Sequence, residues 1–211
     1  MDVIQLNPRN MNACSTRIVE VLKHGGVALF PTDTLYGLGA DAFSDEAVEK
    51  VYAIKGRDEH KPVHALVSDI DMAEKYAEVG DDARLLAKTL PKGKVTLICK
   101  KRPGFDTGIG RGLDTFGFRI PDSELCIEMV RAFGKPVTAT SANKAGKKPL
   151  RAVADILEQL GDGKSGIALV IDGGELPASE SSTVIDLSGP PVILREGAVP
   201  ASDVWEAIRT E

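Results

Sequence analysis

The 211-residue chain has few cysteines, few aromatic side chains and no long apolar run. Its three cysteines are widely spaced and lack a Cys-x-x-Cys pair, which excludes a disulfide framework and predicts reduced, mostly buried thiols. The longest apolar stretches, Gly26–Pro31 and Ile167–Ile171, fall far short of the ~20 residues that cross a bilayer. The amino terminus lacks the basic and apolar segments of a secretory signal, so we expect a cytoplasmic protein without a membrane-spanning segment.

The rest of the composition is that of an ordinary globular protein, with 43% apolar and 27% charged residues. A net charge of −5 argues, on average, against a nucleic-acid-binding protein. The charges are unevenly distributed, however, because Lys88–Arg151 contains 14 basic and 5 acidic side chains, a net charge of +9. A basic segment in an acidic protein indicates an anionic ligand such as a nucleotide, with RNA as a weaker alternative and solvated surface lysines as the simplest explanation.

Short β-like runs alternate with amphipathic helices, which predicts an α/β fold: a twisted, mixed parallel and antiparallel sheet with covering helices. Ser44 is the expected N-cap of one helix, Gly134 the expected end of another, and Pro31–Ala42 is expected to be a loop. The predicted strands are Val3–Leu6, Val27–Phe30, Val63–Val67, Val95–Cys99, Thr115–Ile120, Val137–Thr140, Ile167–Ile171, Thr183–Leu187 and Val192–Leu194. The predicted helices are Met11–Lys23, the one beginning at Ser44, Asp81–Thr89, Ser123–Ala132, Ala152–Leu160 and Ala201–Arg209.

Several familiar motifs fail on inspection. Gly163–Ser165 resembles the end of a phosphate-binding P-loop but lacks its leading glycine, and Gly37–Ala42 lacks the tight strand-to-helix turn of a dinucleotide site. His60 and His64 have no further ligand nearby to complete a metal site. Ser141 lies outside the Gly-x-Ser-x-Gly context of a serine hydrolase. The remaining polar residues suit binding and positioning better than covalent catalysis.

Several predicted strand ends and neighbouring loops combine hydroxyl groups with positive charge. Loops of this kind converge at one edge of an α/β sheet. Lys and Arg neutralise phosphates, Arg also binds carboxylates through two hydrogen bonds, and Ser, Thr and Asn side chains fix orientation. The pattern therefore predicts a site for a nucleotide and a carboxylate. The segments are Pro31–Gly39, Lys55–Arg57, Lys61–Pro62, Thr115–Arg119, Ser141–Asn143, Ser181–Thr183 and Arg195–Gly197.

Five blocks, in the expected order, resemble the motifs of the YrdC-like threonylcarbamoyl-AMP synthases. The sequence PTDTLYGLG at Pro31–Gly39 resembles the opening block of that family. Lys55–Arg57 and Ser141–Asn143 resemble its K-x-R and S-x-N signature, and Ser182–Asp186 and Leu194–Gly197 resemble its closing blocks. The resemblance extends over nearly the whole chain. It implies a single YrdC-like domain over residues 1–211, with no additional C-terminal domain.

The resemblance implies an L-threonylcarbamoyladenylate synthase, a nucleotidyltransferase that forms threonylcarbamoyl-AMP and pyrophosphate from L-threonine, bicarbonate and ATP. The product would serve the t6A modification of tRNA at position 37. Mg²⁺ would accompany ATP, with no structural metal bound by the protein. A downstream threonylcarbamoyl transferase and tRNA or double-stranded RNA are the implied partners. Lys55 and Arg57 are the implied catalytic residues, because they would counter the charge of the departing pyrophosphate.

The resemblance also implies which residues bind each substrate, with Arg119 as the partner of the threonine carboxylate. The nucleotide-binding residues would be Lys55, Arg57, Lys61, Thr115, Ser141, Asn143 and Arg195. The threonine-binding residues would be Thr34, Arg119, Ser182, Thr32, Tyr36 and Thr140.

The chain departs from the family pattern in two places. Lys92–Lys94 stands where the family usually has Pro-Gly-Pro, and Leu66 stands where some members have a histidine that contacts threonine. His64, two residues earlier, would lie on the same face of a strand and could replace that histidine. Two alternatives to the synthase are an RNA-binding module and a diverged paralogue without activity.

Overall fold

A computed structural model describes residues 1–57 and 62–209 of the chain. The strands in this part are β1 (Asp2–Gln5), β2 (Val27–Pro31), β3 (Tyr36–Gly39), β4 (Ala65–Leu66), β5 (Val95–Lys100), β6 (Thr115–Arg119), β7 (Val137–Thr138), β8 (Thr140–Ser141), β9 (Ile167–Asp172), β10 (Thr183–Asp186) and β11 (Val192–Arg195). The α-helices are α1 (Met11–Lys23), α2 (Asp45–Lys55), α3 (Ile70–Glu74), α4 (Asp81–Thr89), α5 (Glu124–Phe133), α6 (Val153–Leu160) and α7 (Ala201–Arg209), and 3₁₀ turns form at Gly108–Gly110 and Gly161–Gly166.

The strands form two sheets, where the sequence analysis predicted one. The first has the order β1-β9-β2-β3-β8 and the second the order β11-β10-β5-β6-β4-β7. Both contain parallel and antiparallel pairs, since β9 pairs in parallel with β1 and β2, whereas β3 runs antiparallel to β2. In the second sheet, β10 is parallel to β5 and antiparallel to β11. The prediction of a mixed α/β fold is therefore confirmed.

Strand β2 passes through the middle of the core. Its side chains alternate between two apolar clusters, so that Ala28 and Phe30 pack on the side of α1 and α5. Val27 and Leu29 pack on the side of α2 and α6. All five residues of β2 are buried. The continuous apolar run of this strand is thus explained by helices that cover both faces of the sheet.

The helix ends follow the capping signals in the sequence. The Ser44 hydroxyl accepts a hydrogen bond from the amide of Ala47 at 3.2 Å, and α2 ends at Gly56 in the left-handed conformation. Helix α5 likewise ends at Gly134, with a φ of 80°. Because Gly56 turns the chain out of α2, Arg57 leaves the helix and lines the polar cleft described below.

Two predictions about local structure were wrong. Pro31–Ala42 is not a loop throughout, because it contains β3, and Val137–Thr140 is divided between the two sheets. Gly39 explains the first error: a Cβ there would lie 2.4 Å from the Phe30 ring, so this strand requires glycine at a position where propensity argues against a strand.

The predicted state of the cysteines is confirmed, because Cys14, Cys99 and Cys126 are free and buried. Burial raises the pKa of the Cys99 thiol to about 12 and that of Cys126 to about 11. In the described part of the chain, no helix has the length and apolar character that a membrane crossing requires.

Candidate active site

A cleft of about 350 Å³ lies between the two sheets. Strands β3 and β8 of the first sheet form one wall, and β5, β6, β10 and β11 of the second sheet contribute to the other. Alternate residues of β6 face the cleft, while Phe116 and Phe118 between them are buried in the core. The cleft brings together ten of the residues predicted to bind substrate: Thr32, Thr34, Tyr36, Arg57, Thr115, Arg119, Thr140, Ser141, Ser182 and Arg195.

Arg119, at the end of β6, is the most deeply buried cation in this wall, with an exposed fraction of 4%. Its Nη1 donates to both carboxylate oxygens of Asp33, at 3.0 and 2.9 Å, and to the carbonyl oxygen of Gly93 at 3.0 Å. Its Nε is buried and has no hydrogen-bond partner among the described residues. A buried N–H without a partner is rare in folded proteins, and here it belongs to a cation beside an open cleft.

Arg57 contributes a second guanidinium to the same cleft. It follows α2 after the left-handed Gly56, and its Nη2 donates to the carbonyl oxygen of Pro62 at 2.9 Å. Its Nε is also buried and unpartnered within the described part of the chain. Two guanidinium groups that line one cavity therefore each keep one donor that no described group uses.

Arg195 and Ser182 form a third polar group, where β11 meets the start of β10. Arg195 Nη2 donates to the Ser182 carbonyl oxygen at 2.7 Å, and the Ser182 hydroxyl lies 2.7 Å from the hydroxyl of Thr96. Burial and the nearby Arg119 lower the pKa of Arg195. The positive charges in this cleft repel one another, which favours binding of an anion between them.

Lys55 lies behind the cleft and is 2% exposed. Its ammonium group donates to the carbonyl oxygens of Ser141 and Asn143, the latter at 2.9 Å, and to Asn143 Oδ1 at 3.3 Å. Burial and, to a smaller extent, the charge of Arg57 lower the pKa of Lys55 to about 8. Neither Lys55 nor Asn143 lines the cleft, and the three donors of Lys55 are used within the protein.

The hydroxyl groups of the first wall are held by local hydrogen bonds. Thr32 Oγ1 donates to the carbonyl oxygen of Leu35 at 2.8 Å and lies 3.2 Å from Thr34 Oγ1. The Tyr36 hydroxyl donates to the carbonyl oxygen of Gly174 and accepts from the amide of Gly173, both at 2.8 Å. Burial raises the pKa of Tyr36 to about 12, so this phenol remains protonated at neutral pH.

Comparison with known proteins identifies the family. The Sua5/YciO/YrdC family model, described as "Telomere recombination", matches residues 20–197. The chain belongs to the Sua5/YciO/YrdC family.

Relatives within the Sua5/YciO/YrdC family are similar over most of the chain. A threonylcarbamoyl-AMP synthase of Pyrococcus abyssi is 34% identical over 189 residues, a match that covers 89% of this chain and 55% of the relative. A protein of Methanocaldococcus jannaschii with the name "Putative threonylcarbamoyl-AMP synthase" is 36% identical over 189 residues, a match that covers 87% of this chain and 87% of the relative. The structure of P. abyssi Sua5 complexed with L-threonine superposes with a TM-score of 0.86 at 30% identity, covering 99% of this chain and 61% of that protein.

One predicted substrate-binding residue lies outside the described part of the chain, and the cleft contains further residues that were not predicted to bind substrate. Lys61 lies outside the described residues, so its role stays a prediction. His64, Thr96 and Asp186 also line the cleft, although the sequence blocks assigned no role to the last two. A period-2 pattern along β10 could have revealed Asp186, since Ser182, Val184 and Asp186 are alternate residues and all three face the cleft.

His64 is a neutral group close to the three guanidinium groups of the cleft. Burial and the charges of Arg119, Arg195 and Arg57 lower its pKa to about 3. A neutral imidazole adds no further repulsion and retains one ring nitrogen that accepts a hydrogen bond. Whether His64 replaces the family histidine at the position of Leu66 stays a prediction.

Lys92–Lys94 forms a defined turn without the usual prolines. Gly93 has a φ of 74°, and its amide donates to the Ile120 carbonyl oxygen at 2.9 Å. The Lys94 ammonium lies 3.4 Å from the carbonyl oxygen of Asp33. Hydrogen bonds to neighbouring segments thus define this turn.

Proposed function

We propose that this protein is a threonylcarbamoyl-AMP synthase, which forms threonylcarbamoyl-AMP and pyrophosphate from L-threonine, bicarbonate and ATP. One observation carries the proposal: Arg57 and Arg119 line a single cleft, and each has a buried Nε without a hydrogen-bond partner among residues 1–57 and 62–209. An enzyme that joins an amino acid to a nucleotide must bind a carboxylate and a polyphosphate together. Guanidinium groups suit both of these anions.

The relatives support the choice of substrates. Similar proteins in P. abyssi, Bacillus subtilis and mouse are named threonylcarbamoyl-AMP synthase, and the similar Sua5 structure is a complex with L-threonine. We extend this activity to the present chain. Within the cleft, we place the threonine carboxylate at Arg119 and the triphosphate at Arg57 and Arg195.

In the proposed reaction, bicarbonate loses hydroxide, which leaves as water once protonated, and the resulting CO₂ is attacked at carbon by the uncharged amine of threonine. The amine then gives up a proton, and the product is a carbamate. A carbamate oxygen then attacks the α-phosphorus of ATP, and pyrophosphate leaves. The positive cleft favours the uncharged amine over the ammonium form, so the nucleophile is available at neutral pH. Arg57 counters the charge that builds up on the pyrophosphate. The reaction therefore needs alignment and charge stabilisation, and no nucleophile from the protein.

Mg²⁺ belongs to the ATP substrate in this proposal. Residues 1–57 and 62–209 contain no group of three or more His, Cys, Asp or Glu side chains placed to hold a metal ion. The ion would enter with the triphosphate and neutralise part of its charge.

The proposed function includes a place in tRNA modification. The product would pass to a threonylcarbamoyl transferase for t6A37 formation in the cytoplasm. A primary RNA-binding role is less well supported, because none of the cleft geometry described above requires a nucleic acid and the aromatics of the basic segment are mostly buried, as Phe116 and Phe118 show.

The proposal is tested by incubating the protein with ATP, Mg²⁺, bicarbonate and L-threonine. We expect pyrophosphate and a threonine-containing adenylate, and neither product when threonine or bicarbonate is omitted. ADP and inorganic phosphate as products would contradict the proposal. High-affinity binding of duplex RNA without adenylate formation would instead favour the RNA-binding alternative.

A further inference from the structure

The guanidinium of Arg119 is bound on one side and free on the other. Nη1 contacts both oxygens of Asp33, the Gly93 carbonyl oxygen and, at 3.3 Å, Thr34 Oγ1. Nη2 has a single long contact, 3.5 Å, with Thr32 Oγ1. Nε has no partner among the described residues. Nε–H and the adjacent N–H of Nη2 lie on the guanidinium edge that can bind a carboxylate through two parallel hydrogen bonds.

Asp33 lies in the turn between β2 and β3, and its side chain is 5% exposed. The backbone amide of Asp122, just before α5, acts to lower the pKa of this carboxylate. A Cβ on Gly93 would lie 2.0 Å from Asp33 Oδ2, so the absence of a side chain at Gly93 leaves the space that the carboxylate occupies. Around Arg119, Asp33 therefore brings together the turn between β2 and β3, the turn at Gly93 and the segment just before α5.

Two cations act on the Asp33 carboxylate. Burial raises the pKa of Asp33, whereas Arg119 and Lys94 act in the opposite direction. Lys94 stands at a position where the family usually has proline, and its ammonium lies 3.4 Å from the Asp33 carbonyl oxygen. A substrate carboxylate at Arg119 would add a second negative charge to this ion pair, and Lys94 supplies a compensating positive charge.

We infer that Asp33 is a positioning residue: it holds Nη1 of Arg119 so that Nε and Nη2 face the carboxylate of the amino-acid substrate. This inference rests on the proposed function. Asp33 contacts only Nη1, so it does not occupy the edge that the substrate would use. An aspartate that competed with the substrate would instead bind Nε and Nη2.

The inference is tested with Asp33→Ala and Asp33→Asn, and with Glu175→Gln as the control. Glu175 forms an exposed ion pair with Arg151, so its substitution removes a carboxylate–arginine contact remote from the cleft. The dissociation constants of L-threonine, L-threoninamide and a non-hydrolysable ATP analogue are measured by calorimetry, without turnover. Threoninamide lacks the negative charge that Arg119 would bind.

We expect Asp33→Ala to weaken threonine binding by about 10- to 100-fold and to reduce the preference for threonine over its amide, because a loosened guanidinium binds the carboxylate poorly. Asp33→Asn should lie between Asp33→Ala and the unaltered protein, since the amide oxygen still accepts from Nη1. Binding of the ATP analogue should change by less than about 3-fold in both variants, whereas general damage to the fold would weaken all three ligands together.

An unchanged preference for threonine over threoninamide in folded Asp33→Asn and Asp33→Ala would overturn the inference. Tighter threonine binding by Asp33→Ala would also overturn it, because Asp33 would then be a competitor of the substrate. If Asp33→Ala does not fold, the preference for threonine over threoninamide is compared between Asp33→Asn and Glu175→Gln, and this comparison decides the test. Failure of the unaltered protein to bind threonine would refute the proposed function, and this inference with it.

Discussion

Replacement of Lys55 by methionine tests whether the buried ammonium group organises the loop from Ser141 to Asn143. Lys55 donates three charge-assisted hydrogen bonds to this loop, each with a typical value of about 1.5–3 kcal/mol. The pKa lowered from 10.5 to about 8 means that burial and the charge of Arg57 make the ammonium roughly 3 kcal/mol less favourable, relative to the neutral amine, in the fold than in water. Methionine removes this buried charge but cannot donate, so it leaves three acceptors without their donor, at about 1–3 kcal/mol for each buried group. The apolar side chain offsets part of that loss, and we expect Lys55→Met to lower the free energy of unfolding by about 2–4 kcal/mol.

The same substitution in the same helix provides the control. Lys50 has a side chain that is 42% exposed, pairs with Glu46 at 2.8 Å and donates to the Gly25 carbonyl oxygen at 3.0 Å. We expect Lys50→Met to change stability by no more than about 1 kcal/mol. Both variants are unfolded in urea, with the fluorescence of Trp205 as the signal. Equal stabilities for the two variants would refute the role given to Lys55.

The pH dependence of the Lys55 contribution has a defined sign. Below pH 8 the ammonium is protonated in both the folded and the unfolded chain, and the folded state bears the cost of burying it. Between about pH 8 and pH 10.5 the unfolded chain binds the proton more tightly, so the unaltered protein should gain stability relative to Lys55→Met, by up to roughly 3 kcal/mol. A stability difference that stays constant over this interval would contradict the lowered pKa.

Three further outcomes are expected. Arg57→Ala should reduce adenylate formation on the order of 10²-fold, while its melting temperature stays close to that of the unaltered protein. Full activity of this variant would show that Arg57 does not act in the nucleotide site. Valine should be a poorer substrate than threonine by about 1–3 kcal/mol per lost hydrogen-bond partner, and equal turnover of the two would show that the hydroxyl is not recognised. Thr183→Val should lower the free energy of unfolding by about 2–4 kcal/mol in chemical denaturation, because the Thr183 hydroxyl donates to the Val199 carbonyl oxygen and accepts from the amides of Gly197 and Val199; a loss below about 0.5 kcal/mol would contradict this.

The local structure of this protein was largely readable from its sequence. The bounds predicted for the helices at Met11–Lys23, Asp81–Thr89 and Ala201–Arg209 agree with the structure, because apolar periodicity is a pattern of neighbouring residues. In β6, the pattern Thr-Phe-Gly-Phe-Arg already separates the two faces of a strand. The phenylalanines enter the core, and the threonine, glycine and arginine face the cleft.

The roles of the polar residues were harder to predict from the sequence, because they depend on partners that are distant along the chain. Lys55 and Arg57 belong to one short motif, yet the first is enclosed behind the cleft and the second lines it. The left-handed Gly56 between them produces this separation. The motif predicts the same contact with phosphate for both residues, whereas their hydrogen bonds in the structure are different: Lys55 binds the Ser141–Asn143 loop and Arg57 binds the Pro62 carbonyl oxygen.

The amino-acid sequence alone was sufficient to indicate the α/β class, most of the elements, the family and the residues around which a site forms, because these follow from short-range periodicity and from ordered motifs. The division of the strands into two sheets, and the cleft between them, required the tertiary structure. Pairing of β9 with β1 and β2 joins segments more than a hundred residues apart, and the contact of Asp33 with Arg119 spans 86 residues. No local pattern specifies such contacts, since they form only when the packing of the whole core brings these segments together.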